Sequence, residues 1–253
     1  MKFDKPVTGG PCWAELGTTD LEATASTPAS SAGGRRRTRA RRWAVARRPA
    51  SGTRRSPRSC RWARRSSPSP GYVTFAVADL DAALAKLRAA GGSVVREPGD
   101  VPGMGRFASA ADPDGAPFHL WQDRGFAGAG LLNAPGTLGW VELAMRDTER
   151  ARTFSTAVFG WSVTSSPQYT HFGVEGAEFG GMLAMNDMYP PEVPPHWLPY
   201  FAVEDVDASA DAAAGAGAAI AMEPTTVPNG PRIAVLRDPQ GAVFGVHRER
   251  EKG

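Results

Sequence analysis

The sequence predicts an α+β protein made of two tandem copies of one domain. Each copy consists of paired βαβββ units that close a mixed sheet into a cup, and the first copy is incomplete. Three observations carry this prediction: a constant internal offset, an order of strand and helix signals that recurs within each copy, and a foreign-looking basic stretch inside the first copy. At 253 residues and 42% hydrophobic content, the chain has room for two ordinary domains with real cores.

The offset is the strongest signal. Phe75-Ala76-Val77, Asp79 and Asp81-Ala82 recur as Phe201-Ala202-Val203, Asp205 and Asp207-Ala208. The same step of 126 carries Glu97-Pro98 to Glu223-Pro224, Val101-Pro102 to Val227-Pro228 and Arg106 to Arg232. It also carries Asp112-Pro113 to Asp238-Pro239, Gly115 to Gly241 and Phe118 to Phe244. Near the start, Trp13, Glu15, Leu16 and Asp20 match Trp140, Glu142, Leu143 and Asp147 at a step of 127. Chance matches do not keep register over such a span, and the period is too long for a solenoid. The reading is a first domain over 1–122, a Gly/Ala-rich connection over 123–137, and a second domain over 138–249.

Within the second copy, Trp140 to Met145 alternates and reads as a strand. Asp147 suits a helix N-cap for Thr148 to Phe159, which ends at Gly160. Short strands follow at 172–174 and 180–185, then one at 200–203. Asp205 or Asp207 caps a second helix that ends at Gly215 or Gly217. Strands at 220–222, 232–237 and 242–247 complete the unit, the last two joined by a tight turn at Asp238-Pro239-Gln240-Gly241.

Residues 24–70 interrupt the first copy. They hold 14 arginines and no Asp, Glu or Lys, leaving 15 of the 29 basic residues against all 26 acidic ones elsewhere. The net charge of +3 therefore describes an acidic globular protein with one intensely basic insert. Ala, Thr, Pro, Ser, Arg and Gly in bulk are what a G+C-rich gene yields when read out of frame. Residues 23–33 read one frame over permit Asp-Arg-Phe-Tyr-Ala-Gly-Leu-Phe-Gly-Trp, comparable to Phe154 through Trp161. A frameshift near residue 23, reversed near residue 70, accounts for the insert. The rival reading is a genuine basic loop for RNA or membrane. Basic tails usually sit at termini and contain Lys, and this stretch does neither. On either reading its composition predicts disorder, and the first copy would lack its first helix and three strands, leaving an open sheet edge.

The order "W-x-E-L … D", "F-A-V-x-D-x-D-A", "D-P-x-G-A-x-F", met twice, resembles the glyoxalase/bleomycin-resistance/extradiol-dioxygenase group, the vicinal oxygen chelate superfamily. It is most similar to tandem two-domain proteins of actinobacterial type. The resemblance covers about 11–23 and 71–248. It implies an eight-stranded cup with the ligand inside and the helices outside. In family enzymes it also implies a divalent metal held by His and Glu at set strand positions. Those positions here are Trp13 or Trp140 on the first strand, Tyr72 or Leu198 on the fifth, and His119 or Gly245 on the last. Leu and Gly offer no ligand and an indole only donates, so no metal and no cofactor is expected.

Side-chain alternation places Trp140 and Glu142 on one face, as it does Trp13 and Glu15. Leu198, Tyr200, Gly245 and His247 are expected to face the cup, with Trp161 and Met182 as further wall residues, and Tyr72 and His119 in the first copy. Such an aromatic concavity suits a small hydrophobic or aromatic ligand. Trp140 is open to two readings, packing or stacking platform. Glu142 is open to three: general base, acceptor for a ligand, or solvated rim residue. His119 and His247 are each as readily structural. The functional expectation is a metal-independent binding protein of bleomycin-resistance type. The alternatives are a lyase or a dioxygenase- or hydroxylase-type oxidoreductase using Glu142 as base, and a partly non-functional frameshifted copy. Two cysteines without ligand spacing, Cys12 and Cys60, and the lack of a long apolar run give a cytoplasmic expectation with no membrane and no nucleic-acid partner. Homodimer formation is compatible with all of this.

Overall fold

A computed structural model describes residues 6–16, 71–166, 169–187 and 189–250 of the chain. The arginine-rich stretch lies outside the described residues, as do the expectations attached to it. The fold is α+β with two sheets. The first sheet has five strands: β1 (Pro11–Leu16), β2 (Gly71–Ala76), β3 (Ser93–Val101), β4 (Gly105–Ala111) and β5 (Pro117–Asp123), in spatial order β1-β2-β5-β4-β3. The second has eight. Its first unit is β6 (Leu138–Met145), β7 (Ser162–Ser165), β8 (Thr170–Val174) and β9 (Ala177–Ala184). Its second unit is β10 (His196–Ala202), β11 (Ala219–Thr226), β12 (Arg232–Arg237) and β13 (Val243–Arg248), and the order across the sheet is β11-β12-β13-β10-β6-β9-β8-β7. The two units meet at the antiparallel β6·β10 pair, and each closes on itself through a parallel pair, β6·β9 and β10·β13. The five-stranded sheet repeats the β10–β13 unit as β2–β5, with β1 antiparallel to β2 where β6 lies on β10.

Three described helices open on aspartate caps, those at Asp147 and Asp205 as expected. Asp79 caps α1 (Leu80–Ala89) through Ala82 N, Asp147 caps α2 (Thr148–Phe159) through Arg150 N, and Asp205 caps α3 (Val206–Gly215) through Ala208 N. Helix α2 ends on Gly160 in the left-handed conformation at φ 71°, where a Cβ would be strained. The duplication extends to side-chain contacts. Arg106 pairs with Asp81 at 2.6 Å, and Arg232 with Asp207 at 2.6 Å. Asp112 accepts the amides of Asp114 and Ala116 in its turn, as Asp238 accepts those of Gln240 and Ala242. Burial of the Asp112 carboxyl pushes it up to about 6, and those amide bonds oppose the shift.

The core does not respect the repeat boundary. One apolar cluster runs from Val73, Phe75, Leu84, Leu87 and Phe118 of the first sheet's unit into Val141, Leu143, Phe154, Trp161 and Trp197 of the second sheet. Helices α1 and α2 pack against each other between the two sheets. A separate, smaller cluster holds only second-unit residues, among them Val206, Ala210, Ala213, Leu236 and Phe244. The open edge expected on β1 is partly covered by the connection, since Ala129 N donates to Cys12 O and Phe126 packs edge-on to Trp13 and Trp121. Strand β10 begins four residues before the expected start. It includes Pro199, which stands opposite Val141 of β6 and before Tyr200–Ala202, the residues that pair with β13.

Candidate functional site

The concave face of the second sheet is centred on Glu142. On β6 it stands beside Trp140, opposite Leu198 of β10 and level with Gly181 of β9. Tyr200 Oη donates to Glu142 Oε1 at 3.2 Å. The Tyr169 hydroxyl also hydrogen-bonds Glu142 and itself accepts the Trp140 indole N–H at 2.9 Å. A relay therefore runs from Trp140 through Tyr169 to the carboxylate, which Tyr200 holds from the other side. Burial pushes the Glu142 carboxyl above the ordinary carboxylate range, and the two phenols pull it back in part. Burial and the neighbouring Glu142 charge also push both phenols up, so they remain protonated donors.

Two glycines make room for this arrangement. A Cβ on Gly245 would overlap the Tyr200 ring, and one on Gly181 would overlap the Tyr169 ring. Each phenol thus lies flat across a neighbouring strand with its hydroxyl turned to Glu142. A Gly245→Ala variant is expected to push Tyr200 off the carboxylate, breaking its hydrogen bond and raising the Glu142 pKa further. Carboxyl titration followed by NMR or infrared spectroscopy checks this, and an unchanged pKa would contradict the packing argument.

His247, at the end of the same face on β13, is 2% exposed. Its Nε2 finds no hydrogen-bond partner among the described residues and abuts Gly139, where a Cβ would overlap it. Burial pulls its pKa down to about 4, so the ring is neutral at physiological pH. It borders a cleft of about 430 Å³ with Asn133, Pro135 and Glu204. His171 faces the cup between Trp140 and Tyr169, with Nδ1 3.3 Å from Glu178 Oε2.

Two expected wall residues lie elsewhere. Trp161 is 2% exposed in the inter-sheet core, against Phe75, Phe159, Phe172 and Phe179, and its indole donates to Gly9 O at 2.6 Å. Met182 pairs with Leu143, which fixes its side chain on the helix side of β9. Trp197 is in the same core, one residue out of phase with Leu198. Sequence reasoning missed the Tyr169–Glu142 bond and the role of Gly181. The signal was the Gly180-Gly181 pair inside a strand, a mark of close approach by another group.

In the first sheet the matching residues also converge. The Tyr72 ring stacks on His119 at 4.5 Å and 10°, and Phe107 meets His119 edge-on at 4.7 Å. His119 Nδ1 lies 3.2 Å from Glu15 Oε2, off the direction a hydrogen bond needs. Trp13 turns instead to Phe126 of the connection.

Whether these residues fit the metal of family enzymes is a question of donors. A divalent ion needs several oxygen or nitrogen ligands in a fixed geometry. At the second cup, Trp140, Leu198 and Gly245 stand at the positions in question. Among the described residues Glu142 is the carboxylate at its centre, and two phenols already donate to it. The residues there do not fit the group. Among the described residues no cluster of three or more His, Cys, Asp or Glu could hold an ion. Nor is any helix among them long and apolar enough to cross a membrane.

Paired βαβββ units with an inward carboxylate define a glyoxalase-fold domain, and the family model agrees. It matches residues 10–120 and 137–246, and the chain belongs to the Glyoxalase/Bleomycin resistance protein/Dioxygenase superfamily. Among relatives, "Putative glyoxylase CFP32" of Mycobacterium tuberculosis is 40% identical over 176 residues, covering 68% of this chain. The chain spans 66% of that relative's length. "Anthracycline biosynthesis protein DauV" of a Streptomyces species is 35% identical over 217 residues, 82% of this chain and 76% of the relative. The Mn(II)-bound glyoxalase from Novosphingobium aromaticivorans shares the fold at TM-score 0.52 and 21% identity, over 70% of this chain and 62% of that one.

Proposed function

We propose that the second cup binds a planar aromatic small molecule bearing a hydroxyl or carbonyl oxygen, without a metal at that position. The observation that carries this reading is the carboxylate of Glu142 shared by two buried phenols beside an indole. Aromatic walls supply a stacking surface, while the carboxylate–phenol cluster offers both donor and acceptor to a ligand oxygen. The neutral Nε2 of His247, without a hydrogen-bond partner among the described residues, adds an acceptor or donor at the cup's end. The likeness to anthracycline biosynthesis proteins supports an aromatic, oxygen-rich ligand class.

A second reading follows from the raised Glu142 pKa: a carboxyl of that kind is suited to take a proton from an acidic O–H or C–H of the bound molecule. Titrating the full chain with a hydroxyanthraquinone, followed by tryptophan fluorescence, tests the first reading. Saturable quenching is expected, unaffected by EDTA and weakened roughly tenfold or more by Glu142→Gln, in line with loss of a charged hydrogen bond. Tightly held stoichiometric metal, or binding indifferent to Glu142, would overturn it. A Glu142→Gln protein that keeps affinity and loses turnover would favour the base reading.

A further inference from the structure

The structure assigns Tyr189 a role as the end wall of the second cup, the residue that sets how long a ligand the cup accepts, with Arg146 as the positioning residue that holds it there. That role rests on the aromatic-ligand reading proposed above.

The register of the sheet places both residues. Strands β9, β6 and β10 lie side by side with β6 in the middle. β9 is parallel to β6 and β10 runs the other way, so the ends of β9 and β6 and the start of β10 share one rim. The chain between Ala184 and His196 must therefore cross the end of β6. Alternation puts Trp140, Glu142 and Ala144 on the concave face of β6, and Arg146 continues that phase just past its end. On β10 the same face carries His196, Leu198 and Tyr200, and His196 stands opposite Ala144.

The crossing segment is held along its length. Arg146 Nη2 donates to the carbonyls of Pro190, Pro191 and Val193 at 3.2, 3.3 and 3.2 Å. One guanidinium nitrogen thus gathers the oxygens of one turn, in which Val193 N also donates to Pro190 O at 3.0 Å. At the far end, His196 Nδ1 lies 2.9 Å from Pro194 O. Pro190, Pro191, Pro194 and Pro195 fix φ through the same stretch, so little backbone freedom is lost in holding it.

Tyr189 sits directly before this turn. Its amide donates to Asn186 O at 3.0 Å, and its partly buried ring is centred 6.5 Å from the His196 ring at 53°. It therefore stands by the His196–Ala144 pair, one step along the concave face from Leu198–Glu142. Ala144 is small, so the bulk at this rim comes from Tyr189 and His196. Burial, and after it the Glu142 charge, push the Tyr189 phenol up, as expected for a hydroxyl on the carboxylate's side of the sheet.

Calorimetric titration of the full chain with 1-naphthol, 1-hydroxyanthraquinone and 6-hydroxytetracene-5,12-dione, a series of growing length, tests the assignment. Tyr189→Ala is expected to shift affinity toward the longest probe, relative to 1-naphthol, by about tenfold or more, the scale on which a pocket wall discriminates one extra group. Tyr189→Phe should keep the parent ratio. Arg146→Gln should copy Tyr189→Ala, and the double variant should add nothing further, because both act through one ring. Without ligand, amide exchange at Tyr189 and Val193 should speed up at least about tenfold in Arg146→Gln. Unchanged exchange in that variant, or an unchanged affinity ratio in Tyr189→Ala, overturns the assignment. If Glu142→Gln still weakens all three probes in that case, the binding reading stands without it. A parent chain that binds none of the probes defeats the binding reading, and the end-wall role falls with it.

Discussion

Replacing Phe75 by alanine is expected to remove about 3–5 kcal/mol of unfolding free energy, in the range typical for emptying a buried aromatic site. The ring is fully buried and meets Phe118, Phe159, Trp161 and Trp197 at 5.1 to 5.9 Å. It therefore ties β2 to α2, to the segment after it and to β10. Since a domain's whole stability is about 5–15 kcal/mol, most of the margin would go. Urea unfolding followed by near-ultraviolet circular dichroism measures the loss, and the signals of the two sheets should fail together. A cost under about 1 kcal/mol would show that the two sheets are stabilised independently.

The second large effect concerns Glu142 and pH. Its folded pKa lies above the unfolded value, so the native state holds the proton more tightly. The stability this contributes is fully present below the unfolded pKa, near 4.5, and is lost as pH rises through the folded pKa. Glutamine keeps the shape and both phenol contacts without a charge. Glu142→Gln should therefore abolish that leg and make the protein more stable than the parent at pH 8, with the two converging as pH falls toward 4.5. His247 tilts the other way: its stability is present above 6.5 and lost as pH falls toward about 4. Unfolding free energies between pH 4 and 9 for the parent and the variant separate the two legs. If the variant shows the parent's slope on the alkaline side, the carboxylate is not desolvated in the native state.

Much of the fold was legible because duplication supplies an internal alignment. Phe75 and Phe201, or Asp112 and Asp238, mark equivalent strands and turns without any outside reference. The first half of the site was legible too, since Trp140 and Glu142 are two residues apart on an alternating strand. What eluded the pattern depended on partners distant in sequence. Trp161 is aromatic and follows a helix, which suits a pocket rim as well as a core. Only the packing of α2 against the first sheet's unit decides between them. Met182 shares a strand with Gly181 but points the other way, and the phase of β9 is hard to read through two glycines and a short run of small residues. The Tyr169–Glu142 bond needs the β8 and β9 strands brought alongside β6, a register that local signals do not report.

The shared cluster of helices α1 and α2 has a consequence for how the molecule comes apart. Homology divides the chain near residue 130, but the rings that lock it lie on both sides of that line. The stretch from Gly71 through Trp197 should behave as one foldon assembled from neighbouring halves of different repeats, with α3 and β11 to β13 as a satellite. A nuclease or protease cut at the genetic seam would split the most cooperative part of the protein and bare Phe154, Phe159 and Trp161 to water.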